Sequence, residues 1–137
     1  MNNLNKLKVI LDTNMLMMAG RGLGVFEQIE ELLNSKPVFI VLSQVKQELE
    51  KIANTGSLRE RKAATAALEL IKTKCIVIDI EQGRARGVDE LIIEAALREK
   101  ALVATNDRKL RRKLREKGLT EIYFREEKNM LESQSTI

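Results

Sequence analysis

At 137 residues the chain can bury a core as a single domain, and it needs no disulfide staples to do so. It holds one cysteine and no histidine, which excludes an intrachain disulfide, Ser-His-Asp and Cys-His catalysis, and zinc sites built on imidazole. The net charge of +4 is uneven: Arg98 to Lys117 carries nine basic and three acidic residues, which leaves the remainder at −2 and points to a polyanionic partner.

No apolar run reaches the roughly 20 residues that cross a bilayer, and Met1 to Lys8 lacks the apolar stretch of a signal peptide, so a cytoplasmic location with no membrane partner is expected. Aromatic residues are scarce and Trp is absent, so the core must be aliphatic.

Lys8-Val9-Ile10-Leu11 reads as a first buried strand running into Asp12-Thr13-Asn14. Met15 to Ala19 is a short apolar helical turn, and Gly20, Gly22 and Gly24 follow as a flexible loop. A helix from Val25 to Asn34 places Phe26, Ile29, Leu32 and Leu33 on one side. Pro37 restarts the chain as the strand Val38 to Leu42, and Ser43 is the expected N-cap of a helix over Gln44 to Asn54. Gly56-Ser57 separates it from an Ala-rich helix, Leu58 to Lys72. Cys75 to Ile80 is the third strand, with Cys75 expected as a buried structural thiol. After a basic loop from Gly83 to Gly87, a helix over Val88 to Lys100 leads into the strand 101–104. A basic helix from Asp107 to Lys117 follows, stopped by Gly118, and then a last strand from Glu121 to Phe124. Strands alternating with helices predict an α/β fold: one domain over 1–125 with a mainly parallel sheet flanked by helices, then a polar tail over 126–137.

Four acids stand at the carboxyl ends of strands or in the early turns of the helices that follow: Asp12, Glu48, Asp89 and Asp107. Ligands of open α/β sheets bind in the crevice outside those strand ends. Each acid taken alone has a plainer reading. Asp12 and Asp107 suit helix caps, and Asp89 with Glu90 suits a first helical turn. Arg111, four residues beyond Asp107, could pair with it. Glu48 is more informative. At about 100° per residue it falls between Val45 and Ile52, inside the apolar stripe, where an ionised carboxylate is costly unless paired or metal-bound. The alternative is a Glu at the end of that stripe that reaches water. Carboxylates held close repel one another unless a proton or cation sits between them. With no histidine, such a cation is held by oxygen, which favours Mg²⁺ or Mn²⁺.

Val9-Ile10-Leu11-Asp12-Thr13-Asn14, Glu48 in Val45 to Leu49, Asp89 in Asp89 to Ala96, and Val103-Ala104-Thr105-Asn106-Asp107-Arg108-Lys109-Leu110 together resemble the motifs of PIN-domain ribonucleases. The resemblance extends to about residue 125 and is similar to VapC-type toxins and to PIN domains of ribosomal-RNA processing factors. It implies a metal-dependent endonuclease acting on single-stranded RNA. Asp12, Glu48, Asp89 and Asp107 would be its acidic cluster and metal ligands, with Asn14, Thr105 and Glu90 supporting. It also implies an antitoxin protein or ribosome-assembly factors as partners, and a homodimer.

On that reading the metal activates water, and Arg108, Lys109, Arg111 and Arg112 of the basic helix hold the RNA backbone. Two rivals remain. One is a PIN-like module that grips RNA in a ribosome-assembly complex without cutting it. The other is a phospho-receiver-like domain, which needs a Lys where this chain has Asp79 or Thr105.

Overall fold

In the computed structural model, residues 6–83, 87–125 and 130–133 are described. The strands are β1 (Lys8–Leu11), β2 (Val38–Leu42), β3 (Cys75–Ile78), β4 (Leu102–Ala104), β5 (Glu121–Arg125) and β6 (Met130–Ser133). The helices are α1 (Thr13–Gly20), α2 (Val25–Leu33), α3 (Ser43–Thr55), α4 (Leu58–Lys74), α5 (Val88–Glu99) and α6 (Arg108–Glu116). They form one sheet in the order β3-β2-β1-β4-β5-β6, with β3 to β5 parallel and β6 antiparallel to β5.

The three central strands are continuous apolar runs because both of their faces are covered. Val9, Ile10, Leu11, Val41, Leu42, Val103 and Ala104 are all fully buried. From β1 the chain moves outward to β2 and β3, then returns to add β4 and β5 on the other side. Right-handed crossovers put α1 to α4 on one face and α5 with α6 on the other. The packing agrees: α1 and α3 lie against α4, and α5 lies against α6, β1 and β4. The strand order therefore reverses between β1 and β4, the place where a crevice opens in a parallel sheet.

Several local expectations are corrected. Ser43 is the first residue of α3 rather than its cap; Leu42 caps it without a side-chain bond, and the Ser43 hydroxyl turns to Gln44 Oε1 at 3.3 Å. The side-chain cap belongs to the next helix, where Ser57 and Glu60 form a reciprocal capping box. β6 falls within the stretch expected as a polar tail, so the sheet extends past residue 125. The basic residues expected in the loop between Gly83 and Gly87 lie outside the described residues. Cys75 is half-buried, and desolvation pushes its thiol up to about 12, as befits an unreactive group.

Gly20 is not loop. It ends α1 where α1 presses on α4, and a Cβ there would lie 2.0 Å from the Ala63 carbonyl oxygen. Backbone on both sides leaves no flexible side chain to yield. Gly20→Ala is therefore expected to destabilise the fold by about 2 kcal/mol or more, read as a lower urea midpoint with an unchanged slope. An unchanged midpoint would show that α1 can lift from α4 at no cost.

Candidate active site

The β1–β4 register pairs Leu11 with Ala104, so the next residues, Asp12 and Thr105, arrive side by side at the carboxyl ends of two central strands. The Asp12 amide extends the ladder by donating to the Ala104 carbonyl at 3.2 Å. Asp12 then caps α1, with Oδ1 accepting from the Met15 amide at 2.8 Å. Its other oxygen, Oδ2, accepts a short hydrogen bond from the Thr105 hydroxyl. The cap reading of Asp12 thus holds through Oδ1, while Oδ2 is tied to the neighbouring strand's turn.

Thr105 is fully buried and works in two directions. While donating to Asp12, its hydroxyl oxygen accepts from the Asp107 amide at 3.1 Å. Asp107 in turn caps α6, accepting from the Leu110 amide at 2.9 Å. Between them, Asn106 Oδ1 accepts the Phe124 amide of β5 at 2.6 Å. The Thr-Asn-Asp turn therefore fixes β1, β5 and α6 around one point.

Glu48 is not buried. Val45 and Leu49 form the inward face of α3, and Glu48 stands exposed at the rim of that stripe. Its position is set instead by Thr13, whose hydroxyl donates to Glu48 Oε2 at 2.9 Å. That contact brings the carboxylate beside the Asp12 turn. Asn14 is exposed on the first turn of α1. Asp89 and Glu90 are half-buried in the first turn of α5, and Glu90 lines a cleft shared with Ile93, Glu94 and Lys113.

The four carboxylates act on one another. Burial pushes Asp12 up to about 6; the bonds from Thr105 and Met15 oppose this, and the charges of Asp107 and Asp89 reinforce it. Burial also raises Asp89, again with repulsion from Asp107 and, more weakly, from Glu48, while Lys113 and Lys109 pull the other way. Among the described residues no three acidic or thiol side chains converge closely enough to form a ready-made metal cage. What the site offers is an all-oxygen donor set with mutual repulsion, and its chemistry fits a hard divalent cation.

The basic helix divides its charges. Lys109 and Lys113, one turn apart, are the cations that act on Asp89. Lys113 was not in the expected set; its spacing of four from Lys109 is the signal that could have found it. Arg111 was expected to reach RNA or Asp107, but it is turned inward. Its guanidinium lies 3.8 Å over the Tyr123 ring, and its Nε is 3.9 Å from Oε1 of Glu121, which is wholly buried. Arg115 Nε approaches the same oxygen at 3.5 Å. Arg108 and Arg112 are exposed. Thr13 and Glu121 were also missed.

The raised Asp12 value has a stability consequence. An acid held above its unfolded value of about 3.8 adds stability below that pH, and the contribution is lost as pH rises through about 6. At neutral pH the ionised group is a strain on the fold, which Asp12→Asn relieves while keeping an acceptor for Met15. In chelator-treated protein, Asp12→Asn is expected to be more stable than wild type at pH 8 by roughly 1–3 kcal/mol. The difference should shrink toward pH 4. Equal stability differences at both pH values would show that the carboxyl titrates normally.

The chain matches the PIN-like domain family over residues 9–127. It is 34% identical over 125 residues to Ribonuclease VapC4 of Methanocaldococcus jannaschii, an alignment covering 88% of this chain and 92% of that protein. It is 32% identical over 128 residues to Ribonuclease VapC9 of Archaeoglobus fulgidus, covering 92% and 90%. Its fold is similar to the solved PIN domain endonuclease Utp24, with a TM-score of 0.73 at 24% identity, over 93% of this chain and 90% of that one. A domain of a protein of unknown function from Methanocaldococcus jannaschii superposes with a TM-score of 0.62 at 20% identity, over 87% and 91%. By sequence over nearly its whole length, and in accord with its strand order, the chain belongs to the PIN-like domain family.

Proposed function

We propose that this protein is an endoribonuclease that hydrolyses phosphodiester bonds of single-stranded RNA with the help of Mg²⁺ or Mn²⁺. The observation that carries the reading is the turn at the β1–β4 switch point, where the buried Thr105 hydroxyl joins Asp12 to the Asp107 amide and Thr13 holds Glu48 beside the same turn. Asp12 and Asp107 would be the principal cation ligands, with Asp89 and Glu48 completing the shell or holding its waters. When bound, the cation would lower the pKa of a water and offset charge on the leaving oxygen. The ribonuclease names of both sequence relatives support the activity, and their VapC names favour a VapC-type enzyme with an antitoxin partner over a role in ribosome assembly.

The protein's own residues supply the rest. Thr105 fixes the orientation of Asp12 and, through the Asp107 amide, the start of α6. Thr13 holds Glu48 beside the crevice, where its exposed carboxylate can take a proton from an attacking water. Lys109 and Lys113 place positive charge next to the acids, where a scissile phosphate must enter. Arg108 and Arg112 can meet phosphates further along the strand. With few aromatic side chains, recognition rests on the backbone rather than on base stacking.

Cleavage of a labelled single-stranded RNA tests this directly. Wild type is expected to cut with Mn²⁺ or Mg²⁺ and to stop with EDTA, while Asp12→Asn should lose on the order of 100-fold or more. Thr105→Val, which keeps every carboxylate, should lose roughly 10–100-fold. Replacing Lys109 and Lys113 together by Ala should mainly raise KM and flatten the salt dependence. Metal-independent cleavage, or full activity in Asp12→Asn, would refute the assignment.

A further inference from the structure

Glu121 opens β5 wholly buried, and among the described residues neither of its carboxylate oxygens accepts a hydrogen bond. What surrounds it is charge. Arg111 Nε lies 3.9 Å from Oε1 and Arg115 Nε lies 3.5 Å from the same oxygen, and the Arg111 Nε–H is likewise without an acceptor among the described residues. A carboxylate taken out of water and held by attraction alone adds little to stability, and an apolar side chain would fill its place as well. What such a contact supplies is direction: it decides which face of a helix turns toward the strand.

The helix is α6, whose buried residues are Leu110 and Leu114, one turn apart on a single line along its axis. A helix that rests on one line can roll about it. At about 100° per residue, Arg111 and Arg115 stand roughly 100° to one side of that line, and Lys109 and Lys113 roughly 100° to the other. Glu121 and Tyr123 are two apart on β5 and share a face, so Arg111 lies over the ring while its Nε meets the carboxylate. On the other side the lysines act on Asp89, and Lys113 shares a cleft with Glu90. We infer that Glu121 is a positioning residue: by drawing Arg111 and Arg115 to β5 it sets the roll of α6, and so aims Lys109 and Lys113 at the crevice where a phosphate enters.

The lever is long enough to matter. Side chains reach about 5–6 Å from a helix axis, so a roll of about 30° carries the lysine row through about 3 Å. That is the length of a hydrogen bond, and smaller misplacements already weaken a positioned contact. The role rests on the ribonuclease reading for its ligand, a single-stranded RNA.

Fluorescence anisotropy of a labelled single-stranded RNA in EDTA measures binding apart from cleavage. Glu121→Gln removes an acid and keeps every cation, so bulk attraction alone would tighten binding. A roll of α6 predicts the reverse: binding weaker by roughly tenfold, with a salt slope lower by about 1–2. Lys109→Ala with Lys113→Ala should weaken binding in wild type and weaken it little further beside Glu121→Gln. Glu121→Leu with Arg111→Met removes one charge of each sign and packs the contact. It should show a urea midpoint no lower than wild type, together with the same weak binding. Tighter or unchanged binding by Glu121→Gln would overturn the assignment. So would wild-type affinity in the apolar pair, a midpoint well below wild type in that pair, or lysine substitutions that weaken binding equally with and without Glu121. Wild type that binds no RNA would overturn it too. Wild type that binds RNA but does not cut it with Mn²⁺ would refute the ribonuclease reading alone.

Discussion

Asp12 holds its carboxylate between the first turn of α1 and the hydroxyl of Thr105, in a place where water hardly reaches. Everything in the crevice is arranged around that contact. It depends on register: because Leu11 lies opposite Ala104, the residues that leave the two strands meet, and a shift by one would turn their side chains to opposite faces. It also depends on topology, since β1 and β4 are neighbours only because the chain returns across the sheet after β3. From Thr105 the constraint passes to the Asp107 amide, and from Asp107 to the start of α6.

The arrangement sets function against stability. A buried carboxylate raised toward neutrality is a liability for a fold that needs no ligand, and useful in one that binds a cation. The same tension explains the division of α6. Arg111 and Arg115 turn toward the buried Glu121, and Arg111 also covers Tyr123, so their charge anchors the helix to β5. Lys109 and Lys113 remain to moderate the acids. A helix that reads as uniformly basic in sequence therefore has one row turned to β5 and one turned to Asp89.

Much of this was legible in the sequence because its signals were local. Uninterrupted apolar runs read directly as β1, β2 and β4, and Asp12, Asp89 and Asp107 stand where the pattern puts them, at a strand's end or the start of a helix. Glu48 meets the plainer of its two readings, a Glu at the end of the stripe that reaches water. Helical periodicity put it in a buried stripe, whereas the structure leaves it exposed and held by Thr13, a partner 35 residues away. Glu121 was invisible because nothing local marks a strand's first residue as the buried counter-charge of a helix. Gly20 read as a loop because the Ala63 backbone that demands it lies on another helix. The sixth strand was missed because Met-Leu-Glu-Ser holds no β-branched or aromatic residue and acquires its strand state from pairing with β5.

The central claim is that Asp12 is a buried, frustrated carboxylate poised for a cation. The most direct measurement is a carbon-detected NMR titration of its side-chain carboxyl in chelator-treated protein, repeated after addition of Mg²⁺, which is diamagnetic. The account predicts a midpoint at about 6 without cation and a clear downward shift when the cation is added. A midpoint near 3.8 that does not respond to the cation would contradict it.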